Sequence, residues 1–322
     1  MANLLDLNGY PQAGTTESTE SNGADGILRI DPKKGKEGKY TMKVRFLPNV
    51  RKDGTFGNPK IEKHVHWVKI PNMTEYNGSF DCQNTTAKAV AGKCKLCDLF
   101  FKFYGSKDVT EQAKKDYIKR SPKYYSYVYV LEDENNPDNV GKIMILPYGF
   151  KIWAKIEAER KGENAKEEKC DVFNLASGKD FKLTCEVIGG ENNYDSSIFL
   201  DNSPLKIRDD EGKFKPVPTY ENAEGVKMFG FEDEEKHKKI NAKIATFLMG
   251  YEKAIEDYSS KEWTEEQNNK IINIWSYLTG AKTNTKTNPF ESDDDPFVKE
   301  NKKVETSTKT TTSTNEDDEW GF

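Results

Sequence analysis

His66, Cys82, Cys94 and Cys97 supply one imidazole and three thiols around a Cys94-Lys95-Leu96-Cys97 knuckle. Zinc is borderline-soft, takes nitrogen and sulfur ligands tetrahedrally, and accepts two cysteines separated by two residues on one ion. The chain has five cysteines and three histidines, so four such ligands within about thirty positions point to one closed, structural Zn2+ site. His64 lies two residues before His66 and shares its face on any strand through Lys63-His64-Val65-His66-Trp67-Val68, so it stays open as the alternative imidazole. A redox knuckle would follow a strand of a thioredoxin-like unit, whereas here Gly92-Lys93 leads into Cys94. Cys185 falls in phase with Phe181, Leu183 and Val187, which is the pattern of a buried thiol.

The second constellation interleaves basic and aromatic residues. In Lys119-Arg120-Ser121-Pro122-Lys123-Tyr124-Tyr125-Ser126-Tyr127-Val128-Tyr129, the side chains of Tyr125, Tyr127 and Tyr129 share one strand face, with a basic cluster before them. If exposed, they form a stacking platform for nucleic-acid bases, each stack contributing about 1–3 kcal/mol, and Lys119, Arg120 and Lys123 track phosphates. If covered, they are ordinary strand core, since tyrosine favours strands in any case. Arg45 sits on the polar phase of an earlier strand and could extend the basic stripe, or simply be solvated. Tyr104 and Tyr117 flank the segment between the knuckle and the tyrosine strand, as packing or as binding residues.

No catalytic set accompanies these features: there is no Walker loop, no GxSxG elbow and no HExxH, so the expectation is not an enzyme. The alternatives are a metal-dependent nuclease, a redox protein using the knuckle, or a zinc-dependent transcription-type module. The net charge of −5 argues against a globally basic binding field. From Lys282 onward, however, six lysines face ten acidic residues, so that stretch carries −4 and about −1 is left for the rest. Any binding face must therefore be a local basic stripe. An odd cysteine count with a metal site suits a reducing cytosol, and Met1-Ala2-Asn3-Leu4-Leu5-Asp6 has neither the basic nor the apolar region of a secretion signal.

Several short elements must position these groups. Tyr40 to Leu47 alternates with period two. Strands are expected at Lys123 to Leu131, Lys142 to Leu146, Val172 to Leu175, Phe181 to Ile188 and Leu205 to Arg208. Helices are expected after Cys97, from Thr110 to Arg120, from Phe150 to Arg160, from Asp233 to Tyr258, and from a Thr264/Gln267 capping box to Gly280. This is a mainly β protein with some helix, read as an OB-fold-like, partly open antiparallel barrel. Residues 1–24 read as a flexible arm and 25–232 as the core, which includes a zinc subdomain at about 60–105. A helical segment at 233–280 follows, then a disordered acidic tail at 281–322.

The chain resembles the T-even phage type of single-stranded DNA-binding, helix-destabilising protein. The co-linear signatures are Val44-Arg45-Phe46-Leu47-Pro48, the His-Cys-CxxC order, and Lys119-Arg120 leading into Tyr124-Tyr125. Asn136-Pro137 with Gly141-Lys142 and Lys151-Ile152-Trp153 follows, and then Asn193-Tyr194-Asp195 with Phe199-Leu200. The resemblance implies an OB-fold core with a zinc subdomain, and a protein that coats single-stranded DNA in phage replication, recombination and repair, in the cytoplasm of an infected bacterium. It implies DNA contacts at Lys119, Arg120, Tyr124, Tyr125 and Tyr194. The arm lacks the family's Lys/Arg cluster, which leaves Leu4, Leu5 and Leu7 as its apolar means of cooperative self-association. Asp317, Asp318, Glu319, Trp320 and Phe322 look like an acidic, aromatic-tipped tail that engages replication and recombination partners.

Overall fold

In the computed structural model, residues 26–71, 73–86, 88–90, 92–162, 169–209 and 211–281 are described. The 1–24 arm with Leu4, Leu5 and Leu7, and the tail residues Asp317, Asp318, Glu319, Trp320 and Phe322, lie outside them.

The main sheet is antiparallel and built from β1 (Lys39–Phe46), β2 (Ile61–Val68), β3 (Gly78–Asp81), β4 (Ile118–Asp133), β5 (Ile143–Tyr148), β6 (Lys179–Ile188), β7 (Glu191–Asn193) and β8 (Ile198–Asn202). Its order is β3-β2-β4-β1-β6-β7, with β5 on β4 and β8 on β6. Two small ribbons follow, β9 (Lys206–Arg208) with β10 (Phe214–Pro216), and β11 (Thr219–Glu221) with β12 (Lys227–Phe229). Among the described residues there are five α-helices: α1 (Lys95–Tyr104), α2 (Val109–Ala113), α3 (Phe150–Lys161), α4 (Glu234–Leu248) and α5 (Glu265–Thr279). None is long and apolar enough to cross a membrane.

The described chain divides into two compact units, one from residues within 1–66, 85–87 and 120–262, the other from 67–84, 88–119 and 263–322. In the first unit β4 is the central element. Its Tyr- and Val-rich run pairs with β1 through Phe46↔Val128 and with β5 through Tyr127↔Ile145, and it is buried on both faces from Tyr124 to Leu131. Tyr124, Val128 and Val130 pack with Phe46, Tyr148, Ile152 and Phe181. Tyr125, Tyr127, Tyr129 and Leu131 pack with Ile244, Leu248, Tyr251 and Ile255. In the second unit Leu96, Leu99 and Phe103 of α1 share a core with Val68, Phe80, Ile271, Ile274 and Leu278.

Three expectations change. The stretch from Thr110 is helical only to Ala113, followed by a 3-10 turn at Lys114–Tyr117, and β4 already begins at Ile118, so Lys119 and Arg120 lie on a strand. Val172 to Leu175 is a buried turn rather than a strand, pinned by Asn174 Oδ1 accepting from Ala176 N at 2.8 Å and Ser177 N at 3.0 Å. The helix from Asp233 stops at Leu248 before Gly250, and a 3-10 turn at Ile255–Tyr258 completes the segment. The helices of 233–280 serve two cores, α4 that of the first unit and α5 that of the second. The capping box at Thr264 and the left-handed stop at Gly280 (φ 71°) are both present.

Candidate metal centre and basic-aromatic surface

Ligand atoms of His66, Cys82, Cys94 and Cys97 all lie within 4.8 Å of one another, and all four residues are buried. Alternation along β2 turns both His64 and His66 inward, but His66 joins the ligand set and His64 does not. Cys94 is the N-cap of α1, so the first helical turn brings Cys97 back toward it, and Asp98 N donates to Cys94 O at 3.0 Å. The loop before the knuckle is held by two buried side chains: Asn84 Oδ1 accepts from Val90 N at 2.8 Å, and Asp98 Oδ1 from Gly92 N at 2.9 Å. Gly92 has φ 77°, which only glycine adopts without strain.

The donor set fits a tetrahedral, thiophilic ion. Cys82 Sγ and Cys97 Sγ are 3.4 Å apart, where zinc–sulfur bonds near 2.3 Å in a tetrahedron place sulfurs about 3.8 Å apart. Hydrogen bonding with Cys82 and Cys94, and then burial, push the Cys97 thiol far above its ordinary range. A divalent cation among the sulfurs would reverse that balance and favour thiolates.

The tyrosine strand is not an exposed platform. Tyr124 is 4% exposed, Tyr125 5%, Tyr127 1% and Tyr129 1%. Tyr127 stacks on Tyr251 at 4.5 Å, while its hydroxyl donates to Lys253 O at 2.9 Å and accepts from Ile255 N at 3.0 Å. Tyr129 accepts from Arg208 N at 3.1 Å and meets Phe247 edge-on at 5.1 Å. Residues 247–258 are what covers this face, so Tyr127 is a core residue and its expected place in the binding set is corrected. Tyr127→Phe is expected to leave the buried Ile255 N–H without its acceptor and to cost about 1–3 kcal/mol, read as a lower urea midpoint at unchanged slope.

Arg45 is likewise corrected: it is 1% exposed, not on a solvated stripe. Its Nη1 pairs with Asp180 at 3.2 Å, and its Nη2 donates to Asn174 O at 2.8 Å and Ser203 O at 2.9 Å. Tyr194 is half-buried against the Phe46 core, and burial followed by its hydrogen bond with Cys185 raises its phenol well above the usual value.

The remaining expected residues keep open surface. Lys119 is exposed and lies 3.6 Å from Asp116 in an ion pair that water largely screens. Arg120 is half-exposed and donates to Thr86 O at 2.6 Å, and Lys123 sits over the Tyr125 ring at 5.5 Å. In the second unit Tyr104 is 61% exposed and stacks on Phe100 at 6.1 Å, whereas Tyr117 is half-buried.

Sequence reasoning missed the partners of the tyrosines. Lys63 approaches the Tyr125 ring at 5.8 Å and Tyr258 stacks on it at 4.8 Å. Lys60 lies 3.8 Å from the Trp153 ring centre and 4.9 Å from that of Tyr124, and the two rings stack at 5.2 Å. Lys60, just before β2, and Lys63 on it were visible in the sequence; the rings beneath them were not. Burial, followed by the charges of Glu62 and Glu157, pushes the Tyr124 phenol up to about 12, so it stays neutral.

Residues 38–247 match the family described as gp32 DNA binding protein like, more than half of the chain, and the protein belongs to that family. It is 28% identical over 175 residues to the "Single-stranded DNA-binding protein" of Enterobacteria phage T2, covering 52% of this chain and 53% of the relative. It is 27% identical over 219 residues to the protein of the same name from Enterobacteria phage T4, covering 64% of this chain and 67% of that one. The chain thus spans about half the length of its T2 relative.

Proposed function

We propose that this protein binds single-stranded DNA by neutralising phosphates and stacking bases, and that it is not an enzyme. The carrying observation is the family match over residues 38–247, together with the names of the phage T2 and T4 relatives. Surface chemistry supports it: Lys119, Arg120 and Lys123 lie close together at the start of β4, and in the second unit Tyr104 is an exposed aromatic residue. Tyr124 and Tyr125, which are buried, and Tyr194, which is half-buried, then act mainly by supporting the surface.

Within this reading the main sheet is an OB-fold-like barrel and residues of about 60–105 form a zinc subdomain whose ion is structural. The 1–24 arm serves self-association, 25–232 forms the binding core, and the 281–322 tail, through Asp317, Asp318, Glu319, Trp320 and Phe322, engages replication and recombination proteins. The work is coating and protecting strands during phage replication, recombination and repair in the host cytoplasm.

The test is a salt titration with a short oligothymidine. Each phosphate neutralised contributes about 0.7 to the slope of log K against log salt for single strands, so a Lys119→Ala, Arg120→Ala, Lys123→Ala triple variant should flatten the slope by about 2. An unchanged slope, or cleavage of the strand by the pure protein, overturns the proposal.

A further inference from the structure

At the far end of β4 a cleft of about 540 Å³ opens between the chain leading into β1 and the turn before β5. Its lining includes Arg29, Tyr40, Asn135, Asn136, Lys142 and Glu252. That volume lies within the roughly 300–1,000 Å³ of small-molecule sites. Lys123 and Asp133 are ten residues apart on β4, about 33 Å of strand, so this is not the basic cluster that opens β4.

The cleft is preorganised. Asp133, 4% exposed, accepts from the Tyr40 hydroxyl at 3.0 Å, from Asn135 N at 3.1 Å, Asn136 N at 3.0 Å and Asn139 Nδ2 at 2.9 Å. Burial and the hydrogen bond to Asp133 hold the Tyr40 phenol well above its usual value, so it stays a donor. The opposite wall is set by Leu28 N donating to Ile145 O at 2.8 Å and Ile145 N to Gly26 O at 2.7 Å, which brings Arg29 to the rim. Gly26 has φ 87°. The turn is thus held through its backbone and Asn139, while the side chains of Asn135 and Asn136 make no hydrogen bond among the described residues. Arg29 and Lys142 have no carboxylate partner there either, and Glu252 has no cation.

We propose that this cleft binds one nucleoside monophosphate unit, with a preference for a base bearing an exocyclic amine. Arg29 and Lys142 supply charge-assisted donors for the phosphate. The amides of Asn135 and Asn136 offer a donor and an acceptor to a base edge, and Glu252 accepts from an amine such as cytosine N4. A divalent cation is disfavoured by two cations against one free carboxylate, and an acidic peptide would meet Glu252 with like charge. The unit is either a free nucleotide or one residue of the bound strand. Only the second source rests on the single-stranded DNA reading.

The experiment is calorimetric titration of the full chain with dCMP, dTMP and inorganic phosphate, and a salt titration with oligodeoxycytidine, comparing wild type, an Arg29→Ala, Lys142→Ala double variant and Glu252→Gln. Wild type is expected to bind dCMP more tightly than dTMP or phosphate. The double variant should weaken dCMP by at least about tenfold, and Glu252→Gln should erase the preference over dTMP. If the cleft holds a residue of the strand, the double variant also flattens the oligonucleotide salt slope by about 0.7, the share of one phosphate. An unchanged slope with dCMP binding lost assigns it to free nucleotides. If wild type binds dCMP but no oligonucleotide, the coating function fails while the cleft stands. If wild type does not bind dCMP, or if neither dCMP nor oligonucleotide binding responds to the double variant, the proposal is overturned. Phosphate binding as tight as dCMP also overturns it, because the base contact is then missing.

Discussion

Cys94→Ser is expected to release one metal ion per chain and to unfold the segment around α1 in the second unit. The three cysteine ligands are themselves core: Cys82, Cys94 and Cys97 are at most 1% exposed and pack with Leu96, Leu99, Phe103 and Phe80. That apolar core is small, and the loop before the knuckle is tied by two side-chain contacts, Gly92 N to Asp98 and Val90 N to Asn84. Metal binding in such modules contributes on the order of 10 kcal/mol to folding, which exceeds what the surrounding apolar contacts could replace. Elemental analysis of fresh, reduced protein should give one zinc per chain. Far-ultraviolet dichroism should then show helix loss in Cys94→Ser and in chelated wild type alike. The internal control is Cys185→Ser, a buried thiol on β6 outside the ligand set, which should keep the metal. Absence of metal from wild type, or full helix content in the chelated protein, would refute the centre.

That centre was legible in sequence because ligand identity and spacing are local properties: two cysteines one helical turn apart, and one histidine phase of a strand. Strand and helix placement were legible for the same reason where period two or a capping box marked them, as at Tyr40 and Thr264. What failed was the judgement of which faces meet solvent. Alternation in β4 separates Tyr125, Tyr127 and Tyr129 from Tyr124, Val128 and Val130, but it cannot say that both rows are covered. The cover for the first row comes from Tyr251, Ile255 and Tyr258, more than a hundred positions away and beyond the residues that match the family. The Arg29 cleft escaped notice for a related reason. Its cations and amides come from separate stretches: the buried Asp133 holds the Asn135–Asn136 turn, backbone pairing of Leu28 with Ile145 places Arg29, and neither link is marked in the sequence.

Arg45→Ala is expected to lower stability by about 3–5 kcal/mol while leaving the salt slope of single-stranded DNA binding unchanged. The alternation of β1 marks Arg45 as polar and outward, and a basic residue in a DNA-binding chain invites a phosphate role. In the fold its guanidinium instead ties β1 to β6 through Asp180 and to the turns at Asn174 and Ser203. The fit is tight enough to constrain a neighbour: a Cβ at Gly178 would fall 2.6 Å from Arg45 Nη2 and 2.5 Å from Asn174 O. Removing the arginine leaves two part-buried carbonyls without this donor, and Asp180 with Lys206, at 3.5 Å, as its remaining cation among the described residues. Loss of one partner of a buried pair costs more than the pair contributes, because the remaining charge stays desolvated. Arg45→Met keeps most of the volume and separates the charge effect from the cavity effect; it should recover part of the urea midpoint but not all. If either variant instead kept its midpoint and lost DNA affinity with a flatter salt slope, Arg45 would be a phosphate contact and its buried position would have to be abandoned.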